Sequence, residues 1–219
     1  MGGFGLPFFY SYIMTTPTTV DTDTDLSAVN SILGAIGQSP LTELNYTNPE
    51  VGFIFNILTE VNKDVQNEGW IFNTEYKVEV SPDSNKHIVI PANVLKYDKN
   101  GDHHDRRTNF VRRAGKLYDT LAAVPKDEFD DSVFLDIVWL FPFTQLPSAF
   151  QRYVIARASV RAATQLVSNP QLVQLLQTQE AQARATCMEY ECQQGDHSFM
   201  GFPDKSIYST YQPYIALAR

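Results

Sequence analysis

The sequence predicts an α+β fold: a four-helix cluster built from both ends of the chain, with an inserted antiparallel or mixed β subdomain and an extended C-terminal tail. Three observations carry that expectation. Apolar residues recur at helical spacing up to Gly69 and again beyond Pro147, they alternate with charged residues in between, and Gly or Pro stands at each change of period. The expected organisation is an N-terminal arm (1–24), a helical domain (25–69 and 146–194), an inserted β subdomain (70–145) and a C-terminal docking tail (195–219).

Met1 to Ile13 is apolar and aromatic but lacks the basic region of a secretory leader. It reads as an upstream extension or as a segment that orders against a partner. Thr15 to Asp25 is rich in Thr and Asp and cannot bury enough surface to fold alone. Asp25 is the expected N-cap of a first helix carrying Leu26, Val29, Leu33 and Ile36, with Gly37 ending it in a left-handed conformation. Asn48-Pro49 supplies the cap and first turn of a second helix, whose stripe is Val51, Ile54, Phe55, Leu58, Val61 and Val65 and which closes at Gly69.

From Trp70 the period becomes two. Tyr76, Val78 and Val80 alternate with Lys77 and Glu79 in a first strand; His87 to Ile90, Val94 to Tyr97, Asn109 to Arg112 and Lys116 to Tyr118 read as further short strands. Val133 to Phe141 is apolar almost throughout, which predicts a central strand buried on both faces. Beyond Pro142 and Pro147, Phe150 to Val167 returns to helix, and Asn169-Pro170 opens a long helix reaching about Gln194. The last 25 residues hold five aromatics without helical spacing, Phe199, Phe202, Tyr208, Tyr211 and Tyr214, a composition that fits docking on a neighbour.

Composition narrows the class of function. The 219 residues are 43% hydrophobic and 12% aromatic, enough for a substantial core, while a formal charge of −8 opposes nonspecific attraction to nucleic acid. The longest purely apolar run, Ile137 to Phe141, is far below the roughly 20 residues of a bilayer-spanning helix, so no membrane insertion is expected. Cys187 and Cys192 form neither a CxxC pair nor part of a zinc ligand set, which fits synthesis in a reducing cytoplasm.

The search for catalytic chemistry is mostly negative. No phosphate-binding GxxxxGK[ST] loop, GxGxxG turn, GxSxG elbow or HExxH helix is present. Asp98, Asn100 and Asp102 begin like a calcium loop, but His103 stands where glycine is required and Asn109 where the bidentate glutamate belongs. Glu75, Glu79 and Asp83 offer carboxylates for a glycosidase pair, without an apolar pocket to raise one pKa. The expectation is therefore no catalytic residue, no cofactor and no metal. Charge is unevenly spread: Asp98 to Lys116 carries six basic and three acidic residues, Tyr118 to Asp136 one basic and six acidic. Neighbouring copies could complement one another through that asymmetry, making Arg106, Arg107, Arg112 and Arg113 a candidate subunit interface.

Three segments carry a resemblance. Leu26-Ser27-Ala28-Val29-Asn30-Ser31-Ile32-Leu33 with Ile36-Gly37 and Pro40, then Gly69-Trp70-Ile71-Phe72-Asn73-Thr74-Glu75, then Cys187-Met188-Glu189-Tyr190-Glu191 resemble, in this order, the tail tubular protein A family of short-tailed, podovirus-type bacteriophages. The likeness spans about Leu26 to Cys192, and the combination of GWxFNxE with CMEYE is its specific part. It implies a virion tail protein without enzymatic activity, forming a twelve-subunit adaptor or gatekeeper ring between the head portal and the nozzle protein, tail tubular protein B, with tail fibre protein attaching at that junction. Double-stranded DNA would pass through without sequence-specific binding, and on the order of a hundred negative charges around the ring would discourage sticking. Trp70 and Phe72 are expected to anchor the end of the second helix against the sheet, Asn73 to bond the departing backbone, and Tyr190 to close the last helix onto that junction. The aromatic tail is the candidate for portal or neighbour docking. The competing readings are a tail-associated cell-wall or polysaccharide hydrolase and a nucleic-acid-binding module.

Overall fold

Helix α1 (Asp25–Ala35) starts one residue earlier in its capping than the sequence predicts. Thr24, in an extended conformation, accepts the Ser27 N–H on its hydroxyl at 3.2 Å, and Asp25 is the first helical residue. Two adjacent oxygen-bearing side chains competed for the cap; the carboxylate falls in the first turn, where it favours the positive end of the helix dipole. Gly37 (φ +78°) ends the helix and lets Gln38 N–H reach back to Leu33 O at 2.9 Å. The computed structural model describes residues 24–100, 108–122, 126–167 and 169–195. The expected arm up to residue 23, Arg106, Arg107 and all five tail aromatics lie outside those residues.

Helix α2 (Pro49–Gln66) begins at the Asn48-Pro49 signal, with the Asn48 carboxamide accepting the Glu50 N–H. Its stripe is buried except for Phe55, which is half-buried, and it is widened by Ile57, Asn62 and Gln66. Helix α3 (Ser148–Ala162) continues into a π-helical turn at Ala163–Val167, and helix α4 (Pro170–Gly195) runs back along α3. Fully buried Ala158, Ala162 and Ala163 remove side-chain bulk from the α3 surface that its neighbours approach. One apolar cluster joins Val29 and Ile32 of α1, Ile54, Leu58 and Val61 of α2, Phe150, Tyr153 and Val154 of α3, and Cys187 of α4.

The β elements are a three-stranded antiparallel sheet and a hairpin. Strand β5 (Val133–Trp139) lies between β1 (Thr74–Val80) and β2 (Val94–Lys99), while β3 (Phe110–Arg113) pairs with β4 (Lys116–Asp119). The central place of β5 agrees with its apolar run; burial on both faces holds only at its end, where Val138 is buried on the face opposite Ile137. Val133, Leu135 and Ile137 are buried against Ile88, Ile90, Val94 and Leu117, whereas Phe134 and Asp136 on the other face are only half-buried. Residues 87–90 also depart from expectation: they make a single bridge, Val89 to Lys116, because the Asp83 turn precedes them and Pro91, lacking an N–H, follows. β1 carries a bulge between Glu75 and Val78, with two residues, Tyr76 and Lys77, opposite the single Asp136 of β5. Lys77 sits in it at φ +58°, its N–H held by the Asp136 carboxylate at 2.8 Å. The molecule is α+β.

Candidate functional site

The densest meeting of sequence-distant residues is where α2 gives way to β1. Gly69 (φ +82°) turns the chain there, and a side chain would have its Cβ 3.5 Å from Val138 Cγ2. A short 3-10 turn, Ile71–Asn73, follows before β1. Trp70 is buried; its indole N–H donates to Val65 O at 2.7 Å, closing the end of α2. Its own backbone N–H donates to Asn73 Oδ1 at 2.8 Å, and Asn73 Nδ2 donates to Gln66 O and Trp139 O, both at 2.9 Å. One carboxamide thus bonds the end of α2, the turn and the end of β5. Glu75, the second residue of β1, accepts the Trp139 indole N–H at 2.9 Å.

Aromatic packing completes the joint. Phe150 of α3 is fully buried and touches three rings: Trp70 at 4.9 Å between centroids, Phe72 at 4.6 Å and Tyr190 of α4 at 5.9 Å. Glu191 then accepts the Ile71 N–H at 2.7 Å, across 120 residues of sequence. The GWxFNxE and CMEYE segments therefore form one physical site. Trp70, Phe72, Asn73 and Tyr190 are all brought together in it. Cys187 lies in the same layer, its thiol donating to Ala149 O at 3.3 Å, and burial pushes its pKa up to about 11, so it stays a protonated packing group.

Two features of this region were not read from the sequence. Gln66 is fully buried and grips the backbone leaving β5: its Oε1 accepts Phe141 N–H at 2.8 Å, and its Nε2 donates to Phe141 O and to Asn62 Oδ1, both at 2.9 Å. The available signal was an Asn62–Gln66 pair at i, i+4 inside an otherwise apolar stripe. Second, Arg184 of α4 makes two bonds to the Glu68 carboxylate, at 3.1 and 2.9 Å, and one to the Tyr153 hydroxyl at 2.8 Å. Glu68 first and Tyr153 second hold the Arg184 guanidinium above its ordinary range, so its charge is permanent. Arg157 joins both partners, at 3.3 Å and 3.2 Å. Nothing in a single sequence marks contacts between residues this far apart.

The other candidates stand apart from the joint. Arg112 and Arg113 are exposed on β3, and the Arg113 guanidinium lies 4.3 Å over the Tyr118 ring. Glu75, Glu79 and Asp83 each serve a structural bond: to the Trp139 indole, to Ser132 Oγ at 2.6 Å, and to the amides of Asn85 and His87. Backbone bonding from His87 holds the Asp83 carboxyl below its usual pKa, opposite to what a general acid needs. Among the described residues no group of three or more His, Cys, Asp or Glu is placed to hold a metal ion, and Asn100 of the calcium-like run donates to Asp136. No helix among those residues is long and apolar enough to cross a membrane.

Comparison with known proteins gives the family of the chain. The family described as tail tubular protein matches residues 26–197, which takes in both halves of the joint. Tail tubular protein A of Klebsiella phage KP34 is 32% identical over 124 residues, 56% of this chain and 62% of that relative, so the match spans less than two thirds of the relative's length. The chain belongs to the tail tubular protein family, a family of bacteriophage tail proteins.

Proposed function

We propose that the chain is a structural, non-catalytic adaptor of a short phage tail: copies close into a twelve-subunit ring that joins the head portal to the nozzle protein, supports tail fibre attachment and surrounds the DNA channel. The observation that carries this reading is the family match from 26 to 197 over a fold whose best-organised site is a joint. In that joint the polar groups hold backbone and the aromatic rings pack on one another, which is the chemistry of a rigid subunit.

The surface supports assembly as well. A recess between the end of α1, the start of α2 and the π-helical turn is walled by Leu33, Ile36, Pro49, Phe53, Ile54 and Leu166, and both Phe53 and Leu166 are exposed. Apolar walls of that kind mark contact surfaces more often than solvent-facing ones. The acidic balance of −8 per chain, multiplied around a ring, opposes adhesion of passing DNA.

Mass measurement of the full chain mixed with portal protein tests the proposal. A single high-mass complex carrying many copies is expected. A chain that stays monomeric and ignores the portal rejects it. Deleting residues 196–219 should abolish attachment while the helical core stays folded, and normal tail assembly by the truncated protein would rule out the docking role of Phe199, Phe202, Tyr208, Tyr211 and Tyr214.

A further inference from the structure

We infer that the apolar cleft beside the start of α1 is the seat of the uncharged aromatic segment Met1–Ile13 of the same chain. The cleft has a volume of 380 Å³ and runs between Phe55 and Leu58 of α2 and Leu140, Phe141 and Pro142 of the segment leaving β5. That size falls within the roughly 300–1,000 Å³ of concave binding sites. Its polar wall groups are largely engaged: Asn62 donates to Phe141 O at 3.2 Å, and the Thr59 hydroxyl donates to Phe55 O at 2.9 Å. Asp25 and Lys63 are the charged members of a lining that is otherwise mostly apolar, and that lining favours an apolar occupant by exclusion of water.

Two facts identify the occupant. Asp25, the first residue of α1, is itself part of the lining, so the preceding chain enters the fold at the cleft. Residues 14–24 can extend over at most about 40 Å, ample to bring Phe8, Phe9 and Tyr10 back to it. The second fact is charge. Met1–Ile13 contains no charged side chain, whereas the other aromatic stretch outside the described residues carries Asp196, Asp204, Lys205 and Arg219. An uncharged aromatic segment tethered at the rim of an apolar cleft is the occupant for which desolvation is least opposed.

The test uses the full chain with photoreactive p-benzoylphenylalanine in place of Phe9. Irradiation is expected to link this position, within one chain, to the peptides covering 55–63 or 140–143. Thr59→Arg, an exposed change in the cleft wall, should lower the yield about fivefold or more, the effect of roughly 1 kcal/mol of lost docking. Independently, Phe8→Ser with Phe9→Ser should speed amide exchange in 55–63 while leaving the β3–β4 hairpin unchanged. Links to other peptides, links between two copies, a yield indifferent to Thr59→Arg, or unchanged exchange in the cleft each overturn the inference.

Discussion

Asn73→Ala is the sharpest probe of the joint, because one buried carboxamide serves three separate backbone segments. Asn73 is 1% exposed and Trp70 5%. Alanine leaves the Trp70 N–H, now without its acceptor, inside the core, which costs about 1–3 kcal/mol. The Gln66 carbonyl keeps the Gly69 N–H at 3.1 Å, so losing the Nδ2 donor adds only about 1 kcal/mol. The expected total is about 2–4 kcal/mol, a fall of roughly 1–2 M in the urea midpoint for a slope near 2 kcal/mol per M. Tryptophan emission reports it locally, since the chain's two tryptophans, Trp70 and Trp139, both bond Asn73 through their backbone. Asn73→Asp sharpens the test. The acceptor for Trp70 survives, but an oxygen now faces two carbonyl oxygens, so the ionised form is disfavoured and the folded-state pKa rises. The folded variant then retains a proton that the unfolded chain has lost above about pH 4, and its stability falls as pH rises through the folded pKa. Its deficit against the native protein should therefore narrow as pH is lowered from 8 towards about 4. A midpoint shift below about 0.3 M for Asn73→Ala, or a deficit that widens on acidification, refutes the assignment of these bonds.

Three further outcomes are expected. Arg184→Ala should speed amide exchange in residues 181–195 and cost about 1 kcal/mol, a modest figure because Arg184 and Glu68 are 45% and 32% exposed and solvent screens the pair. Gly69→Ala should destabilise by about 1–2 kcal/mol in urea titration, since φ +82° disfavours any Cβ. At pH 8 one thiol, exposed Cys192, should react rapidly with a disulfide reagent, while Cys187, buried and pushed up to about 11, should react only as urea unfolds the chain; two equally fast thiols would contradict its packing.

What the sequence revealed and what it hid follow from range. Asn48-Pro49 and Gly37 act within a single turn of their own helix, so α2 opens, and α1 closes, where local chemistry says. The α1 cap was misassigned by one residue because Thr24 and Asp25 have equivalent cap chemistry, and the choice between them depends on which backbone is extended. The 87–90 segment reads as a strand from its β-branched residues, yet strand pairing needs a partner, and the neighbouring turn and proline leave room for one bridge. Trp70, Phe72 and Asn73 were identifiable from rings and a carboxamide beside a helix end, whereas Tyr190, inside α4, was reached only through the family resemblance. Phe150 was not, although it touches three of those rings, because an apolar residue on a helix stripe looks the same whether it faces a joint or a neighbouring helix. The Glu68–Arg157–Arg184–Tyr153 cluster was hidden for a stronger reason. Its members come from the end of α2, from α3 and from α4, so their meeting is a consequence of the packing rather than a determinant visible before it. The energetics divide the same way: the core and the Asn73 and Gln66 carboxamides hold the helices to the sheet, whereas α4, with only Leu176 and Cys187 buried, adds the polar contacts of Arg184 and Glu191 to its packing on α3.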